Sequence, residues 1–289
     1  MALLLSGAFA IFQSITGHFL PHDVRALGMD ADALTRATNP NLVRFMFHDR
    51  VAFGGTLMTI GIAYWWLVEF PLRSGAAWAW WTLVLSGGSG FASFLAYLGY
   101  GYLDTWHGLA TLLLLPVYLA GMWRARRLLA HPLRPSSMWL APDHADGASS
   151  RIGRRLLLLS SFGLAGAGLT IPFVGMTFVF VPQDIAFIGI SRDRLRELSP
   201  ALVPLIAHDR AGFGGGVLST GLLLLMMMRH APVTQSLVEV VAVMGLCGFG
   251  AALGVHFAVG YTDSFHLSPA YAGFLLFAVG AALLATGRR

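Results

Sequence analysis

The residues of this sequence that are best suited to chemistry are histidines and aspartates in two short motifs, each of which occurs twice. One motif reads HDRVAFGG at residues 48–55 and HDRAGFGG at 208–215, and the other reads GYLDTWH at 101–107 and GYTDSFH at 260–266. The motifs, together with a histidine seven residues before the last aspartate, supply the candidate catalytic residues Asp49, Arg50, Asp104, Asp209, Arg210, Asp263 and His256. They also supply the candidate cofactor or metal ligands His48, His107, His208 and His266.

Histidines on neighbouring helices of a bundle can bind a haem iron or another metal between them. All four ligand candidates are predicted at the extracytoplasmic starts of helices, where the positive end of the helix favours the neutral imidazole that binds metal. A nearby carboxylate can accept the other ring N–H and fix the tautomer. Gly55 and Gly215 lie seven residues after a motif histidine, on the same helix face, and leave room for a flat macrocycle or for close helix packing.

Each candidate also has a structural interpretation that the sequence leaves open. Asp104 and Asp263 precede helices at the distance of N-caps. The Asp-Arg pairs of the two HDR motifs can pair with each other or across the two copies and order an outer rim. The histidines can be interfacial residues with their tips among the lipid headgroups. His256 can belong to a polar path or to a hydrogen-bonded pair inside the bundle.

The elements that position these residues are membrane-spanning helices. The chain has 289 residues, 56% hydrophobic and 11% charged, against about 25% charged residues in soluble domains, which excludes a soluble enzyme. A helical span needs about 20 apolar residues. Eight such runs predict an all-α, polytopic membrane protein, with helices near 2–20, 48–70, 77–100, 107–123, 156–181, 210–228, 236–260 and 266–286.

Two absences restrict the chemistry further. All 19 basic residues are arginines, so no lysine is present for Schiff-base chemistry. Cys247 is the only cysteine, which excludes an intrachain disulfide, a four-thiolate iron–sulfur site and a Cys-rich zinc site.

The duplicated motifs predict two tandem four-helix bundles in a parallel repeat, related by a pseudo-twofold axis along the membrane normal. The copies lie near 160 residues apart and in the same order, and FLPHD at 19–23 likewise matches FVPQD at 180–184. The predicted domains are a first repeat at 1–124, an Arg- and Pro-rich cytoplasmic linker at 125–155 and a second repeat at 156–289.

Arginine distribution predicts the orientation. Seven arginines between Arg124 and Arg155 place that loop in the cytoplasm, and alternation then places both termini there too. The segments 21–47 and 182–207 mix Arg with Asp and are predicted to be amphipathic outer segments. The predicted location is a bacterial inner membrane. The predicted partners are the lipid bilayer and a membrane redox partner or small-molecule substrate, and not nucleic acid.

The layout resembles the haem A synthase family, whose members have eight helices in two halves with haem-ligating histidines on the second, fourth, sixth and eighth helices. That resemblance implies that His48 pairs with His107 and His208 with His266. The sequence departs from the family pattern, because Arg44 and Pro204 stand where the family has a glutamate, and an Asp separates His from Arg. A closer likeness is to bacterial eight-helix membrane proteins with duplicated HDRxxFGG and GYxDxxH motifs.

Three function classes follow from these observations. The first is a membrane redox or cofactor protein with haem or a His-ligated metal. The second is a proton-coupled carrier of a small solute, because parallel repeats are one way in which carriers are built. The third is a non-catalytic assembly protein whose polar rim recognises a partner.

The cofactor hypothesis makes a direct prediction. The protein purified in mild detergent should show a reducible haem absorption band or a bound metal, and replacing His48 or His107 with Ala should abolish it while the protein still folds. A colourless, metal-free wild-type protein would contradict the hypothesis.

Overall fold

The computed structural model describes residues 1–95, 105–131, 133–139, 142 and 147–287, with the side chains of residues 105–107 outside the description. Within those ranges the regular elements are all helical. Six helices are long and apolar enough to cross a membrane, so the chain is a multi-pass helical membrane protein. They lie within Pro40–Leu72, Gly108–Leu128, Ala148–Met176, Leu202–His230, Gln235–Val259 and Ser264–Thr286.

Thirteen α-helices are described, with a π-helical turn at Val68–Leu72 and a 3₁₀ turn at Arg126–Leu128. They are α1 Ala2–Ile15, α2 Pro21–Leu27, α3 Ala31–Ala37, α4 Pro40–Leu67, α5 Ala77–Ser93, α6 Thr105–Ala125, α7 Ser136–Trp139, α8 Ala148–Met176, α9 Pro182–Ile188, α10 Arg192–Leu198, α11 Leu202–His230, α12 Gln235–Val259 and α13 Ser264–Thr286.

Each of the eight predicted apolar runs contains a helix, but two of the helices are short. The α1 helix has 14 residues and α5 has 17. At 1.5 Å per residue these lengths are about 21 Å and 26 Å, less than the roughly 30 Å of the hydrocarbon core. By length and composition six helices of the described ranges are spanning candidates, and α1 and α5 fall short of that length.

The predicted starts of the second and sixth spans are wrong, because both helices begin earlier. Asn39 caps α4 by accepting hydrogen bonds from the next turn, and Pro40 occupies the first helical position. The α11 helix begins at Leu202. His48 and His208 consequently lie about two turns inside their helices, and the expected influence of a helix start on these imidazoles does not apply.

The predicted end of the cytoplasmic linker at residue 155 also differs from the structure. The α8 helix begins at Ala148, so the last three arginines assigned to the linker are helical. One of them, Arg154, is buried and donates to the backbone oxygens of Met228 and Ala231 at the end of α11. The cation thereby satisfies carbonyl groups that a helix end leaves without partners.

The segments predicted to be amphipathic form two similar pairs of seven-residue helices, α2 with α3 and α9 with α10. Gly28 and Gly189 end the first helix of each pair with φ of 73° and 71°, a conformation that glycine adopts without strain. Buried Leu34 and Leu195 belong to one hydrophobic core that also contains the first turns of α4 and α11.

The two halves are interlocked rather than side by side as predicted. The α4 and α11 helices pack against each other at the centre, α12 of the second half packs on α4, and α5 of the first half packs on α11. Glycines allow these approaches. A Cβ atom on Gly55 would overlap Ala251 and lie 2.6 Å from the Cys247 oxygen, and a Cβ atom on Gly215 would overlap Ser93.

A layer of charged residues separates two hydrophobic cores. One core contains Leu67, Met227 and Leu284, and the other contains Phe45, Leu205 and Tyr261. Residues 51–68 of the first half and 211–228 of the second carry no Asp, Glu or Arg. Eighteen helical residues span about 27 Å, close to the hydrocarbon thickness. The charged residues before these stretches therefore lie at one membrane boundary.

The packing of α4 on α12 predicts that Gly55→Ala lowers the free energy of unfolding by about 1–3 kcal/mol, because the added methyl group forces the helices apart. Gly254→Ala, at a position in α12 with open space around the Cβ atom, is the matched control and should be neutral or slightly stabilising. Thermal unfolding in detergent measures both effects. Equal midpoints for the two variants would contradict the packing.

Candidate functional site

The charged layer is built around two arginines that each bridge two aspartates. Arg50 Nη1 lies 2.8 Å from Asp23 Oδ2, and Arg50 Nε donates to Asp209 Oδ2 at 3.1 Å. Asp23 belongs to the short helix α2 of the same half, whereas Asp209 belongs to α11 of the other half. A single guanidinium thus joins α2, α4 and α11.

Arg210 makes the reciprocal arrangement. Its Nη2 lies 2.8 Å from Asp184 Oδ2 on α9, and its Nε lies 3.6 Å from Asp49 Oδ2 on α4. Its Nη1 donates to the Val179 oxygen at 2.7 Å. Val179 has φ of 65°, a rare conformation for a β-branched residue that persists only where the surroundings hold it.

Aromatic rings cover both guanidinium groups. Arg50 lies over the ring of Phe19 at 5.6 Å from its centroid, and Arg210 lies over Phe45 at 5.0 Å and Phe180 at 5.9 Å. The carboxylates are also buried, with Asp184 at 0% and Asp23 at 2% exposure. These contacts place the ions in an environment of low polarity, where charge interactions are strong and unbalanced charge is costly.

The described charges of this layer do not balance. Among the described ion pairs, it contains four aspartates and two arginines, so the carboxyl groups outnumber the guanidinium groups by two (4 − 2 = 2). Three of the aspartates have a histidine nitrogen nearby: His22 at 3.4 Å from Asp23, His48 at 3.3 Å from Asp49 and His208 at 3.1 Å from Asp209. We refer to these aspartates, arginines and histidines together as the polar layer.

His48 also contacts a histidine of the other half. Its Nε2 lies 2.9 Å from His256 Nε2 on α12, and His256 Nδ1 lies 2.6 Å from the Ala252 oxygen. Because a carbonyl accepts only, His256 Nδ1 carries a hydrogen. In a neutral His256 ring Nε2 is then the acceptor, and His48 donates. Of the two interpretations of His256, the structure shows the hydrogen-bonded pair.

Tyr261, in the turn between α12 and α13, closes the layer on the side of the short helices. Its hydroxyl donates to Asp184 Oδ1 at 2.8 Å, and its ring stacks on Phe187 and His266 at centroid distances of 4.6 and 4.5 Å. Burial, followed by the negative charge of Asp184, raises the pKa of Tyr261 above its ordinary value. Tyr261 therefore stays a neutral hydrogen-bond donor.

The residues around His48 do not fit a haem between His48 and His256. Two axial histidine ligands need about 4 Å between their nitrogens, because each metal–nitrogen bond is about 2 Å, and these nitrogens are 2.9 Å apart. The space beneath His48, next to Gly55, is filled by α12. No group of three or more His, Cys, Asp or Glu in the described ranges could hold a metal ion. The predicted partner His107 has its side chain outside those ranges.

The other predicted site residues take different positions. Asp263 is exposed and caps α13, accepting from the His266 backbone N–H at 2.7 Å, so the capping interpretation describes it. Asp104 lies outside the described residues.

His266 is in the first turn of α13, as predicted, and its ring lies 5.4 Å from that of His256. Gly55 and Gly215 are sites of helix packing.

The sequence interpretation missed Asp23, Asp184 and Tyr261 as members of the site. The signal was present, because both aspartates end the duplicated FLPHD and FVPQD segments and Tyr261 stands in the duplicated GYxD motif. The sequence left open whether the Asp and Arg of each HDR motif pair with each other or with the other copy. The structure shows pairing with the other copy, Arg50 with Asp209 and Arg210 with Asp49.

Comparison of the chain with protein-family models, curated proteins and solved structures found no match. The resemblance to haem A synthases therefore depends on helix layout and histidine placement alone.

The bridge across the halves predicts a strong coupling between Arg50 and Asp209. Arg50→Gln alone should lower the free energy of unfolding by about 3–5 kcal/mol, because two buried carboxylates lose their cation. The double variant with Asp209→Asn should be destabilised by less than the sum of the single variants. The exposed pair Arg194–Glu197, with its atoms 2.8 Å apart, is the control and should couple by less than about 1 kcal/mol. Additive effects at Arg50 and Asp209 in denaturant unfolding would refute the bridge.

Proposed function

We propose that this protein is a proton-coupled carrier of a small solute in a bacterial plasma membrane, and that the polar layer is its proton site on the extracytoplasmic side. The observation that carries the proposal is the ratio of charges in the layer. Each of the two arginines of the layer is shared by two aspartates. A purely structural ionic layer would be expected to match its charges, since unpaired buried ions are strongly destabilising.

An exchangeable proton is the simplest way to balance each group of two aspartates and one arginine. Histidine is the side chain that gains and loses a proton near neutral pH, and histidine nitrogens lie within 3.4 Å of three of the aspartates. His256 Nε2, 2.9 Å from His48 Nε2, can accept a hydrogen bond from a protonated His48. Ionisable residues at membrane depth in proton-driven proteins commonly have this role.

The reciprocal pairing supports a duplicated carrier with eight helices in a parallel repeat. Arg50 and Arg210 pair with equivalent aspartates of their own and of the opposite half, as expected for a pseudo-twofold axis. In this proposal α1 and α5 are the two further membrane helices. The arginines at the end of α6 and the start of α8 favour a cytoplasmic location for that side and for both termini.

The location of the layer supports access from outside. It lies about one hydrocarbon thickness from Glu69, in the turn after α4, and from Arg229 near the end of α11, which are the next charged residues along the chain. Contact with the outer aqueous phase then needs movement only of the short helices and turns above it. The opposite side is separated from the layer by the larger hydrophobic core.

Proteoliposomes with a pH-sensitive dye inside test the proposal. An imposed pH gradient should be dissipated faster when at least one class of small solute is added, whether amines, carboxylates or sugars. His48→Gln should reduce that flux to the rate of protein-free liposomes, because the proton site loses its titratable group. His18→Gln, an exposed histidine on the same side, should behave as wild type.

Two results would contradict the proposal. One is a His48→Gln protein that transports protons at the wild-type rate. The other is a folded wild-type protein for which no solute class changes the decay of the gradient.

A further inference from the structure

A depression opens on the outer face of the protein directly above Tyr261. Its volume is about 530 Å³, and it lies between α9 and the turn that joins α12 to α13. Its lining residues are Pro182, Gln183, Ala186, Phe187, Gly260, Tyr261, Thr262 and Asp263. The depression is shallow and open to solvent, so it can contact one side of a small molecule.

The charge of the lining is negative. Asp263 is the one charged side chain among these eight residues, and it is exposed. Its Oδ1 accepts from the His266 backbone N–H, and Oδ2 has no hydrogen bond among the described residues. Gly260 is the C-cap of the 25-residue helix α12, so the negative end of that helix also borders the depression.

The depression also has an aromatic wall. Phe187 is half-buried and stacks on Tyr261, with centroids 4.6 Å apart and planes inclined by 19°. Tyr261 also stacks on His266 and is only 1% exposed, so the more accessible ring is that of Phe187. A carboxylate beside an aromatic ring is the combination that attracts organic cations, through charge and the quadrupole of the ring.

We propose that this depression binds a small organic cation of the amine or quaternary ammonium class, and that this cation is the solute of the carrier. The identification of the cation as the transported solute rests on the proposed function. The binding of a cation in the depression is argued only from the residues that line it. Tyr261 connects the two sites, because its ring lines the depression and its hydroxyl bonds Asp184, the partner of Arg210.

The connection gives a physical reason for coupling. A cation in the depression adds positive charge next to a layer in which four aspartates share two arginines. It thereby reduces the need for a bound proton in the layer, and the proton leaves to the same aqueous phase. Binding of the cation and release of the proton are then linked, and each must weaken the other to the same extent.

Choline and its neutral isostere 3,3-dimethylbutan-1-ol test the inference in titration calorimetry with the purified full-length protein. Choline should bind, and the neutral isostere should bind at least about fivefold more weakly, since it lacks the cation–π and carboxylate contributions. Asp263→Asn should weaken choline binding by a similar factor. Asparagine is as good an N-cap as aspartate, so the variant keeps α13 capped and tests the charge.

The matched control is Asp30→Asn. Asp30 is an exposed N-cap of α3, accepting from the Ala33 backbone N–H at 2.7 Å, and it is not among the residues that line the depression. This variant should bind choline like wild type. Equal binding of choline and its isostere, no binding of choline to folded wild type, or equal affinities of the Asp263→Asn and wild-type proteins would overturn the inference.

These outcomes are separate from those of the gradient experiment. If His48→Gln abolishes solute-driven proton flux but choline does not bind, the carrier proposal stands and the organic-cation site is wrong. If choline binds through Asp263 but no solute drives proton flux, the site stands and the carrier proposal is wrong.

Discussion

The sharing of each buried arginine between two aspartates is the interaction on which the rest of the structure depends. Arg50 and Arg210 each hold one short outer helix and one long helix of the opposite half. The short helices therefore remain above the ends of α4 and α11, and the halves cannot separate without exposing buried ions to an apolar environment. The unusual backbone of Val179 is held by the same network, since its carbonyl accepts from Arg210.

Burial at the membrane boundary makes this constraint more demanding. The layer lies at the end of an uncharged stretch about as long as the hydrocarbon core is thick, beneath a hydrophobic core formed by short helices. In that position water cannot compensate four carboxylates that share two guanidinium groups. Histidine nitrogens lie next to three of these carboxylates, and this arrangement is the basis of the proposed proton-coupled function.

Much of this arrangement was predictable from sequence, because apolar runs and duplicated motifs report local and repeated features. The HDR motifs identified both arginines, and pairing across the copies was one of two expected alternatives. The contact of His48 with His256 was not predictable, because it depends on α12 packing on α4 across the halves. The position of His48 inside α4 was missed too. The helix starts at Pro40 within a segment whose mixed polarity suggested a separate surface element.

The most direct measurement of the central claim is the net charge of the folded protein after Asp23 and Asp184 are both replaced by Asn. We expect almost no change in electrophoretic mobility near neutral pH, because under the proposed function each lost carboxylate releases a bound proton. Replacing the exposed Asp30 and Asp193 instead should add one positive charge per substitution. The same increase in the Asp23 and Asp184 double variant would show that the layer holds no compensating protons, and would contradict the account.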